Sequence, residues 1–409
     1  MKTIVIVGGG FAGLAAAIGA ARELDALGIH NGEVKIALIN RGPFHCIRVR
    51  NYERDLSEVR VPLDDVLGPV GVERIDGEVS AVDAARRRLS FRFAGSEQAL
   101  EYDRLVLAAG SLLYEPDLPG LRQSSFNVDT YDAALRLNEH IARLPAAAAG
   151  PGQYTVAVVG AGLTGIETAC EMPGKLREAA ARAGVRSPRL RTILADHAPH
   201  VGSDIGDSAR PVIEQALASL KIELRTGVVV RAIDAHGLVL ESGERLVANT
   251  VVWTAGMRAH PLTAQFSGQR DRFGRLSVDD YLRVTGTNDV FAAGDVATLP
   301  IDGEHSSVMS CQHARPMGRF AGHNAVCDLL GKPMLPLHID WYVTCLDLGP
   351  WGAVYTEGWD RHVAASGREA KAIKQNINCV RIYPPRSRNR RDILESATPA
   401  VQAPPVGHD

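Results

Sequence analysis

The sequence predicts an α/β protein, because β-branched runs alternate with glycine-rich turns and alanine-rich helical segments. Residues 3–7 form such a run, and a turn with the pattern G-x-G-x-x-G leads from it into a helical segment that reaches about residue 27. The same order recurs where residues 154–159 lead into a second G-x-G-x-x-G turn and a second helical segment. A strand, a glycine turn and a helix in this order are typical of Rossmann-like dinucleotide-binding units, so two such units are expected.

Length, charge and cysteine content narrow the class of protein. The 409 residues allow two or three domains of about 150 residues each. Lysine and arginine total 45 and aspartate and glutamate total 47, so no basic excess is present and we expect no nucleic-acid binding. The six cysteines include no Cys-x-x-Cys pair, which predicts a reduced, cytoplasmic protein without a metal site.

The first 21 residues could be mistaken for a signal peptide or a membrane span, because Lys2 precedes an almost uncharged stretch. Glycines at positions 8, 9, 10, 13 and 19 would weaken a membrane helix, and the strand, turn and helix order favours the dinucleotide unit. No other segment approaches the ~18 apolar residues that a spanning helix needs.

Each glycine of the first turn has its own expected role. Gly8 permits the tight turn, Gly10 lets the backbone approach a pyrophosphate, and Gly13 lets helix and strand pack closely. The start of the following helix offers free N–H groups and a partial positive charge to phosphates. In the second turn the same positions are held by Gly160, Gly162 and Gly165.

A residue for the adenosine ribose is expected where the second strand of each unit ends, and it is usually Asp or Glu. The first unit has the neutral Asn40, followed by Arg41, at this position. The second unit has Asp196, whose carboxylate would accept a hydrogen bond from a 2′-hydroxyl and repel a 2′-phosphate. We therefore predict NADH rather than NADPH, with an ordinary turn residue as the alternative for Asp196.

Three further strands end in small residues that would let the backbone approach a cofactor. Residues 102–110 end at Ala109 and Gly110, and residues 250–256 end at Gly256. Residues 287–295 lead to Gly294 and Asp295, which can bring a carboxylate to a sugar-like hydroxyl. Taken alone, Asp295 could be an ordinary loop aspartate. Its position after two dinucleotide-binding units makes a cofactor-binding role a more specific prediction.

With these motifs the sequence resembles the two-dinucleotide-binding-domain flavoproteins of the glutathione-reductase-like superfamily, most closely the type II NADH dehydrogenases. The resemblance covers residues 1–325 and implies two Rossmann-like FAD/NAD(P)-binding domains with a smaller α+β C-terminal domain. The implied FAD-binding domain is split between residues 1–150 and 273–330. Residues 151–272 would bind NAD, and residues 331–409 would form the C-terminal cap and tail.

The resemblance also assigns the cofactors to sites. It implies FAD contacts at Gly8, Gly10, Gly13, Asn40, Arg41, Val79, Ala109, Gly294 and Asp295. It implies NADH contacts at Gly160, Gly162, Gly165, Asp196 and Gly256.

Three catalytic candidates follow from the same resemblance. Glu167 holds the position of a family glutamate near the nicotinamide and the acceptor. Gln312 matches an Ala-Gln-x-Ala-x-Gln quinone pattern, in which Pro316 replaces the second glutamine. His313 could donate or relay a proton near neutral pH, with a packing or exposed histidine as the alternative.

The cysteines argue against two sister chemistries. Disulfide reductases of this superfamily need a cysteine pair after the first ribose-binding strand, and only Cys46 lies there. Sulfide:quinone oxidoreductases need redox cysteines beside the flavin. Cys170 is predicted to be a buried, inert thiol, whereas for Cys345 a redox or acceptor role stays open.

The resemblance thus implies an FAD-dependent NADH dehydrogenase that passes hydride from NADH to FAD and electrons on to a quinone or similar acceptor. A soluble NADH-dependent reductase of a ferredoxin- or rubredoxin-like protein is one alternative, and a non-enzymatic NADH-sensing or redox-sensing flavoprotein is another. The arginine-rich segment 384–391 has no apolar face, so we expect at most a peripheral contact with the inner face of the cell membrane. The C-terminal cap could also form a homodimer.

Overall fold

Two parallel β-sheets, each with a glycine turn after its first strand, organise the chain. The computed structural model describes residues 1–29, 32–147, 149–203 and 205–406. The first sheet has five parallel strands, in the order Val290–Ala292, Arg104–Leu107, Lys2–Val7, Val34–Asn40 and Glu73–Asp76. The second has four parallel strands, in the order Ile222–Arg225, Arg191–Ala195, Thr155–Val159 and Thr250–Trp253. The predicted α/β class is confirmed.

The first sheet combines segments that lie far apart in the sequence. Its edge strand Val290–Ala292 follows the whole of the second sheet along the chain, yet it pairs with Arg104–Leu107. The central strand Lys2–Val7 buries Ile4, Val5 and Ile6 completely, which suits a parallel sheet that is covered on both faces. Each such aliphatic side chain contributes about 1.5–3 kcal/mol through its removal from water.

Two helices, Phe11–Ala26 and Cys311–Leu329, pack unusually closely against each other beside the first sheet. A Cβ atom added at Gly318 would lie 2.2 Å from the carbonyl oxygen of Ala12, and one at Gly322 would lie 2.0 Å from that of Ala16. The four-residue spacing puts both glycines on one helix face. This contact holds the N-terminus of the second helix beside the first glycine turn.

The other elements are shorter. The remaining helices are Asp64–Leu67, Leu121–Ser124, Tyr131–Arg143, Leu163–Arg182, Arg210–Ser219, Gly367–Asn376 and Arg390–Ser396, with 3₁₀ turns at Arg48–Arg50, Gly68–Val70, Leu144–Ala146, Pro261–Gln265, Gly294–Val296 and Gly349–Trp351 and a π-helical turn at Ile377–Arg381. Antiparallel three-stranded sheets are formed by Glu78–Asp83 with Arg88–Phe93 and Ser96–Glu101, by Val230–Asp234 with Gly237–Leu240 and Arg245–Val247, and by Val343–Asp347 with Ala353–Glu357 and His362–Ser366. Strand pairs join Phe44–Cys46 to Arg60–Pro62, Ser111–Leu113 to Met257–Ala259, and Leu276–Ser277 to Ala297–Thr298. Within the described ranges, no helix combines the length and the apolar character that a membrane crossing requires.

Candidate active site

The three glycines of the first turn face different surroundings. Gly8 has a φ of +104°, and a Cβ there would lie 2.4 Å from the carbonyl oxygen of Ala108. A Cβ at Gly13 would lie 1.8 Å from the carbonyl oxygen of Gly8. At Gly10, in contrast, an added Cβ would meet no described atom within 4 Å, and the residue lines a cavity of about 830 Å³. Backbone packing therefore requires Gly8 and Gly13, whereas Gly10 leaves room in front of the turn.

The second turn repeats this geometry. Gly160 also has a φ of +104°, a Cβ at Gly165 would lie 1.7 Å from the carbonyl oxygen of Gly160, and Gly162 again faces open space. Gly10 and Gly162 are the N-caps of their helices, and neither first turn carries an acidic side chain. The first N–H groups of both helices are thus left for an anionic ligand such as a pyrophosphate.

Asn40 and Asp196 hold equivalent positions and stabilise their own turns. The side-chain oxygen of Asn40 accepts a hydrogen bond from the N–H of Gly9 at 2.9 Å. The carboxylate of Asp196 accepts from the N–H of Ala161 and, at 2.7 Å, from that of Ala198. Each oxygen keeps a second lone pair that could accept from a ribose hydroxyl. The side-chain amide of Asn40 also donates to the carbonyl oxygen of Gly42 at 2.8 Å, a contact that a carboxylate could not make.

Most of the predicted FAD contacts line the cavity in front of the first turn. Its lining includes Gly8, Gly10, Asn40, Arg41, Val79, Ala109, Gly294 and Asp295. Gly13 supports the turn from behind, and Arg41 lies 3.8 Å from the carboxylate of Glu78. The open space at Gly10, the uncapped helix start and the carboxylate of Asp295 in the same wall suit the pyrophosphate and the sugar hydroxyls of a dinucleotide. These residues therefore fit FAD.

Asp295 belongs to a polar cluster that the sequence motifs do not reveal. Its carboxylate accepts a hydrogen bond from the hydroxyl of Ser111 at 2.5 Å and lies 3.9 Å from the guanidinium of Arg48. Arg48 also donates to the carbonyl oxygen of Ser111 at 3.1 Å and forms an ion pair with Asp129. Burial raises the pKa of Asp295, while Ser111 and Arg48 favour its charged form. Arg48 is a functional candidate that no local pattern marks.

A second cavity, of about 280 Å³, adjoins the first. The residues that line both cavities are Arg48, Val49, Val128, Thr164, Met309, Ser310 and Cys311. The two spaces therefore meet at the start of the helix Cys311–Leu329. A molecule in the second cavity would lie next to one in the first.

Glu167 lines the second cavity and forms a buried ion pair. Its side chain is 8% exposed, that of Lys374 is 9% exposed, and the two charged groups lie 2.7 Å apart. Glu167 also accepts from the N–H of Asp347 at 3.1 Å, and Lys374 donates to the carbonyl oxygen of Cys345 at 2.8 Å. Burial raises the pKa of Glu167, and the ammonium of Lys374 opposes that shift. The glutamate predicted from the motif thus has a partner 207 residues away.

The two other catalytic candidates differ in their access to the second cavity, although their side chains lie 3.5 Å apart between the Nε2 atoms. Gln312 lines the second cavity. His313 lines neither cavity in the described chain, is fully buried, and accepts a hydrogen bond from the N–H of Val308 at 2.9 Å through its Nδ1 atom. Burial lowers the pKa of His313 to about 4, so the ring is neutral at pH 7. The structure therefore does not support the predicted proton relay and favours a packing role for His313.

The predicted NADH contacts near the second turn line neither of the two cavities described above. Gly256 has a φ of +94°, and its carbonyl oxygen accepts from the N–H of Tyr114 at 3.0 Å. It follows the strand Thr250–Trp253, whose neighbour Thr155–Val159 leads into the second turn. Gly256 and Gly160 therefore follow adjacent strands of the second sheet.

All six cysteines are free in the described chain. Cys170 is 1% exposed and burial raises its pKa well above the usual range. Cys345 lines the second cavity, and burial raises its pKa to about 11. The thiol form of both residues is therefore favoured at neutral pH, which argues against a reactive thiolate at either position.

The chain is similar to known oxidoreductases over most of its length. The family described as pyridine nucleotide-disulphide oxidoreductase matches residues 2–318. A relative named NADH dehydrogenase-like protein from Mycobacterium tuberculosis is 56% identical over 405 residues, which cover 99% of this chain and 100% of the relative. A type II NADH:quinone oxidoreductase from Staphylococcus epidermidis is 26% identical over 402 residues, with 93% and 95% of the two chains covered.

Solved structures share the fold. NDH2 from Plasmodium falciparum, solved in complex with NADH, superimposes with a TM-score of 0.77 at 14% identity and covers 97% of this chain and 98% of its own. The sulfide:quinone oxidoreductase from Aquifex aeolicus gives a TM-score of 0.75 at 18% identity, with 95% and 92% covered. At this identity the likeness concerns the fold.

Proposed function

Because the chain belongs to the pyridine nucleotide-disulphide oxidoreductase family, we propose that it is an FAD-dependent NADH dehydrogenase that reduces a quinone or a similar small acceptor. The observation that carries this proposal is the meeting of two cavities at Arg48 and Cys311. One cavity opens in front of a dinucleotide turn, and the other holds the buried pair of Glu167 and Lys374. The name of the 56% identical relative supports the same activity.

We assign FAD to the first turn and NADH to the second. Gly8, Gly10 and Gly13 would hold the pyrophosphate of FAD, and Asp295 would accept from its sugar hydroxyls. When bound, FAD accepts hydride from NADH and passes electrons on to the acceptor. The FAD-binding domain would comprise residues 1–150 and 273–330, the NAD-binding domain residues 151–272, and the C-terminal cap and tail residues 331–409.

The side chains at the junction have distinct proposed tasks. The guanidinium of Arg48 would balance the carboxylates of Asp129 and Asp295 beside the place where the two cavities meet. Gln312 can donate a hydrogen bond to an acceptor oxygen through its side-chain amide. Glu167 and Lys374 form a charged pair in the wall that can hold a proton at Nζ of Lys374 or at a carboxylate oxygen of Glu167.

The size of the second cavity supports a small acceptor. Its volume of about 280 Å³ is near the lower end of the range for small-molecule sites. A ferredoxin- or rubredoxin-like protein would need a surface contact rather than an internal space. A homodimer through the C-terminal cap and a peripheral contact of segment 384–391 with the inner face of the cell membrane stay predictions.

Anaerobic spectroscopy tests the proposed activity. The purified protein should be yellow, NADH should bleach its flavin absorbance, and a quinone analogue should restore the colour rapidly, as stopped-flow absorbance would measure. Absence of flavin after gentle purification and reconstitution would contradict the proposal. Fast reoxidation by a ferredoxin or rubredoxin, with quinones inactive, would favour the protein acceptor instead.

The preference for NADH over NADPH should depend on Asp196. Asn40 holds the equivalent turn as a neutral amide, so Asp196→Asn should keep the turn while removing the charge that repels a 2′-phosphate. We expect the ratio of kcat/KM for NADH to that for NADPH to fall by about tenfold or more, since like-charge contacts cost several kcal/mol.

Steady-state kinetics with both donors measures this ratio. The exposed Glu241 offers a matched control, and Glu241→Gln should leave the ratio unchanged. An unchanged ratio in Asp196→Asn would show that Asp196 is only a turn residue.

A further inference from the structure

Three arginines of the second cavity have no carboxylate partner within residues 1–29, 32–147, 149–203 and 205–406. Arg315, Arg319 and Arg381 all line this cavity, and none of them takes part in an ion pair among the described residues. Arg319 is only 5% exposed. Three guanidinium groups, one of them almost fully buried, thus share one small space.

Their hydrogen bonds go to the C-terminal segment. Arg315 donates to the side-chain oxygen of Gln402 at 3.1 Å, and Arg319 donates to the carbonyl oxygen of Ala400 at 3.3 Å. Arg381 donates to the carbonyl oxygen of Ala403. These acceptors are neutral, so they satisfy single N–H groups without balancing the charge. Because a guanidinium has five N–H donors, each arginine keeps donors for another ligand.

Buried charges in proteins are normally paired, because their removal from water is costly. Burial and the charges of Arg315 and Arg381 lower the pKa of Arg319 to about 10. Burial also lowers the pKa of Arg315, and Arg381 adds to this effect. All three side chains nevertheless remain cationic at neutral pH, and their mutual repulsion makes an anion at this place favourable.

The other charges of the cavity wall are already balanced. Arg48 is paired with Asp129, and Lys374 is paired with Glu167. Much of the remaining wall is apolar and includes Val49, Leu163, Trp341, Val343, Ile377 and Ile382. In the part of the chain that the structure describes, the cavity therefore combines an apolar wall with a cationic region that no carboxylate balances.

We propose that the second cavity binds an acceptor that joins an apolar ring system to a carboxylate group, and that Arg315, Arg319 and Arg381 hold the carboxylate. The planar guanidinium fork matches a carboxylate in geometry and charge. An apolar ring would occupy the rest of the wall, where its burial is favourable. This inference rests on the proposed function, because it identifies the molecule in the second cavity as the electron acceptor.

A matched pair of quinones tests the proposal. One compound is a 1,4-naphthoquinone with a short carboxylate-bearing side chain, and the other is its methyl ester, which has the same ring chemistry. With the flavin-loaded enzyme and NADH, we expect kcat/KM to favour the acid by about tenfold or more, because hydrogen bonds between charged groups are stronger than those to a neutral ester. The difference should lie mainly in KM and shrink as salt is added.

Variants connect this preference to the arginines. Arg319→Gln should bring the ratio of kcat/KM for acid and ester close to one. Arg381→Gln should lower the same ratio, and because this residue is more exposed, the substitution should disturb folding less. The exposed Arg391 pairs with Glu395 on a surface helix, and Arg391→Gln is a charge-matched control that should keep the preference.

The outcomes separate this inference from the proposed function. Equal efficiency for acid and ester in a protein that NADH bleaches would overturn the carboxylate site and leave the NADH dehydrogenase activity standing. A preference that survives in both arginine variants would overturn it as well. No bleaching by NADH and no turnover with either quinone would overturn the proposed function, and this inference with it.

Discussion

Alanine at Gly10 is expected to give a chain that folds but retains little FAD. The added Cβ would meet no described protein atom within 4 Å and would extend into the 830 Å³ cavity, where the pyrophosphate is proposed to bind. It would keep the phosphates away from the N–H groups of the helix start. Loss of about 3 kcal/mol of charge-assisted hydrogen bonding corresponds to about 100-fold weaker FAD binding.

Flavin content per chain and FAD titration of the apoprotein measure this effect. Gly162→Ala is the matched variant in the second turn, where the added Cβ also faces open space. It should retain FAD and raise the KM for NADH by a similar factor. Gly174, inside the helix Leu163–Arg182, likewise has open space around an added Cβ, so Gly174→Ala should affect neither cofactor. FAD loss in Gly162→Ala with FAD retention in Gly10→Ala would reverse the assignment of the two turns.

Local patterns predicted the parts of the fold that depend on neighbours in the sequence. A G-x-G-x-x-G turn needs only the strand before it and the helix after it, so both turns could be predicted. The pattern also predicts a separate role for each glycine, and the structure adds which carbonyl oxygens Gly8 and Gly13 pack against and the open space at Gly10. The hydrogen bond from the N–H of Gly9 to Asn40 also requires the neighbouring strand to be in place.

Contacts between distant segments could not be predicted in this way. The pairing of Arg48 with Asp129 joins residues 81 positions apart, and no periodic pattern relates them. Arg315 and Arg319 are one helical turn apart, but their approach to Arg381 depends on how the C-terminal elements fold back over the cavity. A single sequence does not contain that information in any local motif.

His313 shows that two residues in contact can differ in their access to a cavity. Gln312 and His313 are consecutive residues near the start of the same helix. Consecutive helical residues point about 100° apart, so side chains at i and i+1 do not share a face. Gln312 therefore reaches the second cavity, whereas His313 is buried near the rings of Tyr342 and Trp359.

Methionine at Lys374 is expected to destabilise the protein by about 3–5 kcal/mol at pH 7, because it leaves the carboxylate of Glu167 buried without its cation. Urea unfolding followed by circular dichroism measures the change. The control is Arg391→Met, which removes one partner of the exposed pair with Glu395 and should cost no more than about 0.5 kcal/mol.

The pH dependence of the Lys374→Met variant identifies the cause. Burial raises the pKa of Glu167 in the folded protein, and removal of Lys374 takes away the main group that opposes this shift. A carboxyl group with a raised folded pKa destabilises the protein as pH rises above its unfolded pKa, and protonation relieves the cost as pH falls. The loss in free energy of unfolding caused by Lys374→Met should therefore become smaller as the pH is lowered. The double variant Glu167→Gln/Lys374→Met should recover most of the stability at pH 7. A deficit that is independent of pH and persists in the double variant would show that Lys374 stabilises the fold by packing rather than by its charge.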